Sequence, residues 1–137
     1  MLSYHADMTL KNNPFELGMD RLVDLDMEVD FVSKAALTRI RDEGVSQLQV
    51  GLVFDGAPIS GSNDEYWPVL VDGQKVGQVT SAVYSPRLEQ NIALALVAVA
   101  HAGIGTKAMI DMSGEPRGCE IVQKPFFDPK KAIAAKG

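Results

Sequence analysis

The chain is expected to fold as an α+β protein of mainly β type, in which an N-terminal segment and one helix lead into a small antiparallel β-barrel. Three observations carry that expectation. Apolar residues between positions 31 and 43 recur at helical spacing, whereas beyond Gly44 the period shortens to two. From there on, short apolar or alternating runs are punctuated by Gly, Pro, Asn and Asp, as in chains of closely spaced strands. A hydrophobic fraction of 46% in 137 residues fills one core, and 12 glycines with 7 prolines supply its turns.

The elements follow in order. Met1 to Asn12 shows no sustained period and reads as part of something larger, so residues 1–30 are expected to be loosely structured or to borrow order from a partner. Asn13 before Pro14 suits a helix start, but Gly18 limits that helix to about a turn. Asp30 can cap a helix over 31–43, with Phe31, Ala35, Leu37, Ile40 and Val45 along one stripe and Gly44 as its stop. Gln47 to Asp55 alternates as a strand with Leu48, Val50, Leu52 and Phe54 on one face. Trp67 to Val71 and Lys75 to Thr80 flank Asp72-Gly73, a strong hairpin signal. Ile92 to Val99 reads as a buried strand, although its alanines leave a helix over 91–101 open. Thr106 to Met112 and Glu115 to Gln123 pair across Ser113-Gly114, and Pro125 ends the last strand. This spacing favours a small barrel or sandwich, which leaves few exposed edges. The expected organisation is a linker with its helix at 1–45, a barrel at 46–126 and a tail at 127–137.

Charge and composition exclude several classes. With 13 Lys+Arg against 18 Asp+Glu the formal charge is −5, the wrong sign for a general nucleic-acid binder. The longest apolar run, Ile92 to Ala100, is about half the length a membrane-crossing helix needs. One cysteine, Cys119, cannot form an internal disulfide, and no secretory signal follows Met1, so a cytoplasmic location is expected. The charge is uneven. Glu16 to Asp30 holds six acids against Arg21, and after Gln123 the balance reverses, with Lys124, Lys130, Lys131 and Lys136 against Asp128.

Tests of spacing dispose of most chemical motifs. Asp24, Asp26, Glu28 and Asp30 suggest a calcium loop, but Val29 stands where glycine is needed and Ala35 where a bidentate glutamate belongs. Gly103 to Lys107 lacks phosphate-loop spacing and reads as a hairpin loop. His5, His101 and Cys119 have no zinc spacing. Cys119 reads as a small packed residue, and Ser81 and Ser85, with no nucleophile elbow, read as turn residues. No catalytic or metal-binding residue is expected.

One pattern spans nearly the whole chain. It runs Asn13-Pro-Phe-Glu-Leu-Gly18, Asp30-Phe-Val-Ser-Lys-Ala-Ala-Leu37, Val50-Gly-Leu52, Trp67-Pro-Val69, Val76-Gly-Gln-Val-Thr-Ser81, Ser85-Pro86, Asn91-Ile-Ala-Leu-Ala95, Gly105-Thr106 and Lys124-Pro-Phe126. In order and spacing it resembles the C-terminal part of the glycine-cleavage T-protein family, tetrahydrofolate-dependent aminomethyltransferases and their relatives. Trp67-Pro-Val69, Gly77 to Arg87 and Lys124 to Lys131 look closest to dimethylsulfoniopropionate demethylases and similar methyltransferases.

The resemblance implies a folate enzyme whose first two domains build the central pocket and whose last is a barrel-like lid. The pterin-contacting glutamate and catalytic aspartate would then lie upstream of Met1. Partners would be those folate-binding domains, a companion subunit or a second copy, and the chain alone would hold no folate. Many relatives carry tryptophan where Arg21 aligns and an arginine near Ser60. Arg21 would instead meet the folate glutamate tail, and Trp67 or Tyr84 would stack on a ring. The loop 56–66, with Trp67, Tyr84 and Arg87, would border the face turned to the other domains. Core roles for Trp67 and Tyr84 fit their amphipathic rings equally well. A free-standing, non-catalytic binding barrel and a structural remnant are the alternatives.

Overall fold

Six strands between Gln47 and Val122 close into an antiparallel barrel: β1 (Gln47–Phe54), β2 (Trp67–Val71), β3 (Gln74–Ser85), β4 (Gln90–Ala98), β5 (Lys107–Met112) and β6 (Glu115–Val122), ordered β1-β4-β3-β2-β5-β6. The structure is a computed structural model and describes residues 2–124 and 126; the tail expected at 127–137 lies outside the described residues. One helix, α1 (Lys34–Glu43), precedes the barrel, and 3-10 turns occupy Asp20–Leu22 and Val99–His101.

Closure follows from alternation. Val50, Leu52 and Phe54 of β1 point inward beside Ala93, Ala95 and Val97 of β4, and Val69, Val79, Ile110 and Ile121 complete a core shielded from water. A two-residue period lets one face of each strand line this interior, and closure pairs the edges. Both hairpin signals hold. Asp72 and Gly73 have φ of 51° and 77°, and Ser113 and Gly114 have 54° and 95°, the paired positive values of a tight turn matched to strand twist.

Close approach explains Gly77. A Cβ there would lie 2.2 Å from the Leu96 carbonyl oxygen and 2.8 Å from the Val97 Cα, so β3 and β4 meet at a spacing only glycine permits. Nearby, the register between β3 and β4 shifts between Val79 and Ser81, which inserts Thr80 as an extra residue.

Several expectations need correction. The helix begins at Lys34, because Ser33 takes φ 74°, and Asp30 accepts the amide of Phe31 at 3.0 Å instead of capping the helix. Ser81 and Ser85 belong to β3, which runs on past Thr80 to pair with β4. Gly103 to Lys107 is not a hairpin loop: it joins β4 to β5, which are not neighbours. Nor is the N-terminal segment loose. It has little regular structure, yet Leu17 and Leu25 are buried and Asp7 is 2% exposed. Asn13 does cap a single turn, its Oδ1 accepting the amides of Phe15 and Glu16, each at 3.1 Å.

Candidate functional site

The most heavily bonded polar cluster lies where the N-terminal segment crosses the outer wall of the barrel. Asp7 Oδ2 accepts the Ser3 amide at 2.9 Å, while Oδ1 accepts the Thr80 hydroxyl at 2.7 Å and the Ser81 hydroxyl. The extra residue in β3 makes this possible, since it brings two adjacent hydroxyls to one carboxylate. Gln49 of β1 donates to the Asp7 carbonyl at 3.2 Å and accepts from Lys124 Nζ at 2.9 Å. Lys124 also reaches the Leu17 carbonyl at 3.4 Å, and the Gln49 amide donates to the Glu16 carbonyl at 2.7 Å. Burial lowers the Lys124 pKa, and the Asp7 carboxylate opposes that shift. Residues from both ends of the described chain are thereby tied to β1 and β3. The groups are spent on one another, so the cluster is a clasp and not a catalytic constellation. Asp7 is inconspicuous in the sequence because it stands alone, with Lys11 four positions on as the nearest acid or base but His5, in a stretch without period.

A second cluster secures the long connection between β1 and β2. Asn91, 3% exposed, accepts the Ile59 amide at 3.1 Å and donates to the Gly56 and Ala57 carbonyls at 3.3 and 3.1 Å. Asn63 accepts the Ala82 amide at 2.8 Å, and Arg117 donates to Ala57 at 2.9 Å. Tyr66 donates to the carbonyls of His5 and Ala6, joining this loop to the N-terminal segment.

The residues singled out from sequence divide by place. Tyr84 pairs with Asn91, itself paired with Phe54, so Tyr84 and the turn carrying Arg87 share the barrel end from which loop 56–66 departs. Trp67 pairs with Val79 and packs against the core, the plainer of its two expected roles. Arg21 is exposed and next to Asp20, which lines a groove with Leu48 at the other end of β1. The four are thus spread along the barrel, Arg21 beside a groove near the start of β1 and Tyr84 and Arg87 towards its other end. Among the described residues, no group of three or more His, Cys, Asp or Glu could hold a metal, and no helix is long and apolar enough to cross a membrane.

Cys119 is packed as expected. It is 6% exposed in β6, and burial pushes its thiol up to about 11, with Asp55 adding to the rise and a backbone bond at Ala108 opposing it. At pH 8 the native thiolate fraction is expected to be about 100-fold below that of the unfolded chain, so labelling by an aromatic disulfide reagent should be slow until denaturant is added. The raised value favours the folded state below pH 9, and that contribution is lost as pH rises from 9.0 towards about 11. Equal labelling rates for folded and unfolded chain would contradict this packing.

Residues 48–128 match the family model described as the glycine cleavage T-protein C-terminal barrel domain. The chain is 39% identical over 124 residues to an aminomethyltransferase of Synechococcus sp. (strain CC9902), covering 90% of this chain and 33% of that protein. It is 37% identical over 126 residues to an aminomethyltransferase of Symbiobacterium thermophilum, covering 90% of this chain and 32% of that protein. The crystal structure of the glycine cleavage system aminomethyltransferase T from Bartonella henselae shares the fold with a TM-score of 0.83 at 20% identity, over 94% of this chain and 36% of that one. The chain thus spans about a third of the length of these relatives.

Proposed function

Because the chain belongs to the family of the glycine cleavage T-protein C-terminal barrel domain, we propose that it serves as the barrel component of a tetrahydrofolate-dependent aminomethyl- or methyltransferase. The carrying observation is the match of the barrel, residues 48–128, together with relatives named as aminomethyltransferases that are about three times as long. Transfer to a folate nitrogen needs two reactants held in line and shielded from water. A filled barrel with its polar clusters internally satisfied supplies a wall for such a pocket, not the pocket itself.

The face offered to the rest of the enzyme is the barrel end at Tyr84, Arg87 and loop 56–66. There Val53, Ile92 and Val83 stand in register across β1, β4 and β3 on the outside, and Val83 is 48% exposed. An apolar row on an outer wall suits contact with another protein surface. Arg21, at the far end of β1, would meet a folate carboxylate only in a site completed by other domains. Gly77 to Arg87 and Lys124 to Lys131 resemble the sulfonium demethylases, so a sulfonium methyl group stands beside the glycine-derived aminomethyl group as donor.

The test titrates tetrahydrofolate into the purified chain by calorimetry and assays both transfers, with and without the upstream two thirds of a relative. The chain alone is expected to show no turnover and no micromolar folate binding, and activity should appear when the missing domains are supplied. Turnover with micromolar folate binding by the chain alone would overturn the proposal. If the supplied domains associate with the chain and no activity appears, the non-catalytic binding barrel takes its place.

A further inference from the structure

The N-terminal segment does not lie flush against the barrel it crosses. Between residues 6–12 and the outer wall of β1, β4 and β3 there is a cavity of ≈390 Å3. Its floor is apolar at Leu96, which stands between the buried Ala95 and Val97 and so points outward, in register with Gln78 of β3. Lys11 of the segment and Lys75 of β3 line it, and among the described residues the side chain of neither forms an ion pair or a hydrogen bond. The carboxamides of Gln47 and Gln78 also line it and are likewise unbonded within the described residues. No buried side-chain N or O there lacks a partner, so these amides open to water.

The charge of this cavity runs against that of the chain, whose formal value is −5. Asp7 is the acid on its lining, and it does not neutralise the two lysines: its carboxylate is taken up by Ser3, Thr80 and Ser81, and its charge is set against Lys124. Free N–H donors with a surplus of positive charge select an anion. Among the described residues no arginine lines the cavity. Lysines act as point charges without the planar fork that suits a carboxylate, which favours the compact charge of a phosphate group. A phosphate group fills only part of a space in the size range of small-molecule sites, and the apolar floor is left for an organic remainder.

We propose that this cavity is a binding site for a small phosphate monoester: Lys11 and Lys75 hold the phosphate oxygens, Gln47 and Gln78 donate to them from their amides, and the organic part rests on Leu96. The inference stands apart from the proposed transferase role.

The test titrates inorganic phosphate, and then phenyl phosphate, into the full chain at low ionic strength and follows amide chemical shifts. Saturable shifts at Lys11, Gln47, Lys75 and Gln78 are expected, and phenyl phosphate should bind more tightly because its ring covers Leu96. Lys11→Gln with Lys75→Gln, both exposed side chains, should weaken binding about tenfold. Gln78→Leu keeps both charges and should weaken it about threefold. Arg39→Gln with Lys107→Gln removes the same charge outside the cavity and should leave the affinity unchanged. Equal weakening by the two double variants would overturn the proposal, since binding would then follow net charge alone. So would the lack of saturable shifts at the cavity, and succinate binding as tightly as phenyl phosphate would reject phosphate as the group recognised.

Discussion

Replacing Gly77 with alanine is expected to destabilise the chain by about 3 kcal/mol or more, at the upper end of the range for overpacking a close-packed interior. The added Cβ would stand 2.2 Å from the Leu96 carbonyl oxygen and 2.8 Å from the Val97 Cα, both backbone atoms that cannot rotate away. Relief requires β3 and β4 to separate, and these strands are paired over a long register, from Gly77 to Ser85 against Gln90 to Val97. Against a total stability of about 5–15 kcal/mol, such a loss moves the urea midpoint sharply and can leave the protein partly unfolded at 37 °C. Gly73→Ala serves as the control. Its Cβ would meet nothing within 4 Å, although its φ of 77° keeps some strain, so its loss should be clearly smaller. Equal midpoints for the two variants would show that strand approach at Gly77 is not the constraint.

Asp7→Ala is expected to cost about 2–4 kcal/mol, since it removes one carboxylate from three donors at once. The Ser3 amide and the Ser81 hydroxyl lose their acceptor, while Thr80 keeps a bond to the Leu94 carbonyl at 3.2 Å. Lys124 also loses the negative charge that counters its desolvation. The effect should be local before it is global: amides of residues 3–18 should exchange faster while the barrel strands keep most of their protection, because the core lies behind the wall that Asp7 sits on. Asp7→Asn, which keeps an acceptor oxygen but drops the charge, should fall between wild type and alanine. Uniform loss of protection across strap and barrel would mean that the segment is part of the core unit and not a strap laid on it.

Much of the barrel was legible because its information is local. Leu48, Val50, Leu52 and Phe54 alternate, Asp72-Gly73 and Ser113-Gly114 take the paired positive φ that their residue types favour, and β2 runs from Trp67 to Val71 as expected. The start of α1 was misplaced by three residues because Asp30 has the chemistry of a cap but spends it on Phe31. The role of Gly103 to Lys107 was misread because two glycines near strands look the same in a hairpin and in a crossover. The family was legible in recurring blocks such as Val76 to Ser81, and the match over residues 48–128 bears it out.

Period, turn chemistry and residue volume are properties of near neighbours, so they specified strands, hairpins and an apolar interior before any contact was known. Long-range pairing is another matter. Asp7 meets Thr80 and Ser81 across more than seventy positions, Lys124 meets Leu17, and Asn91 gathers Gly56, Ala57 and Ile59, each bond set by how the closed barrel brings distant segments to one point. Long-range side-chain hydrogen bonds carry no periodic signature along a chain, because the partner of a lone polar residue is fixed by the path of everything folded between them.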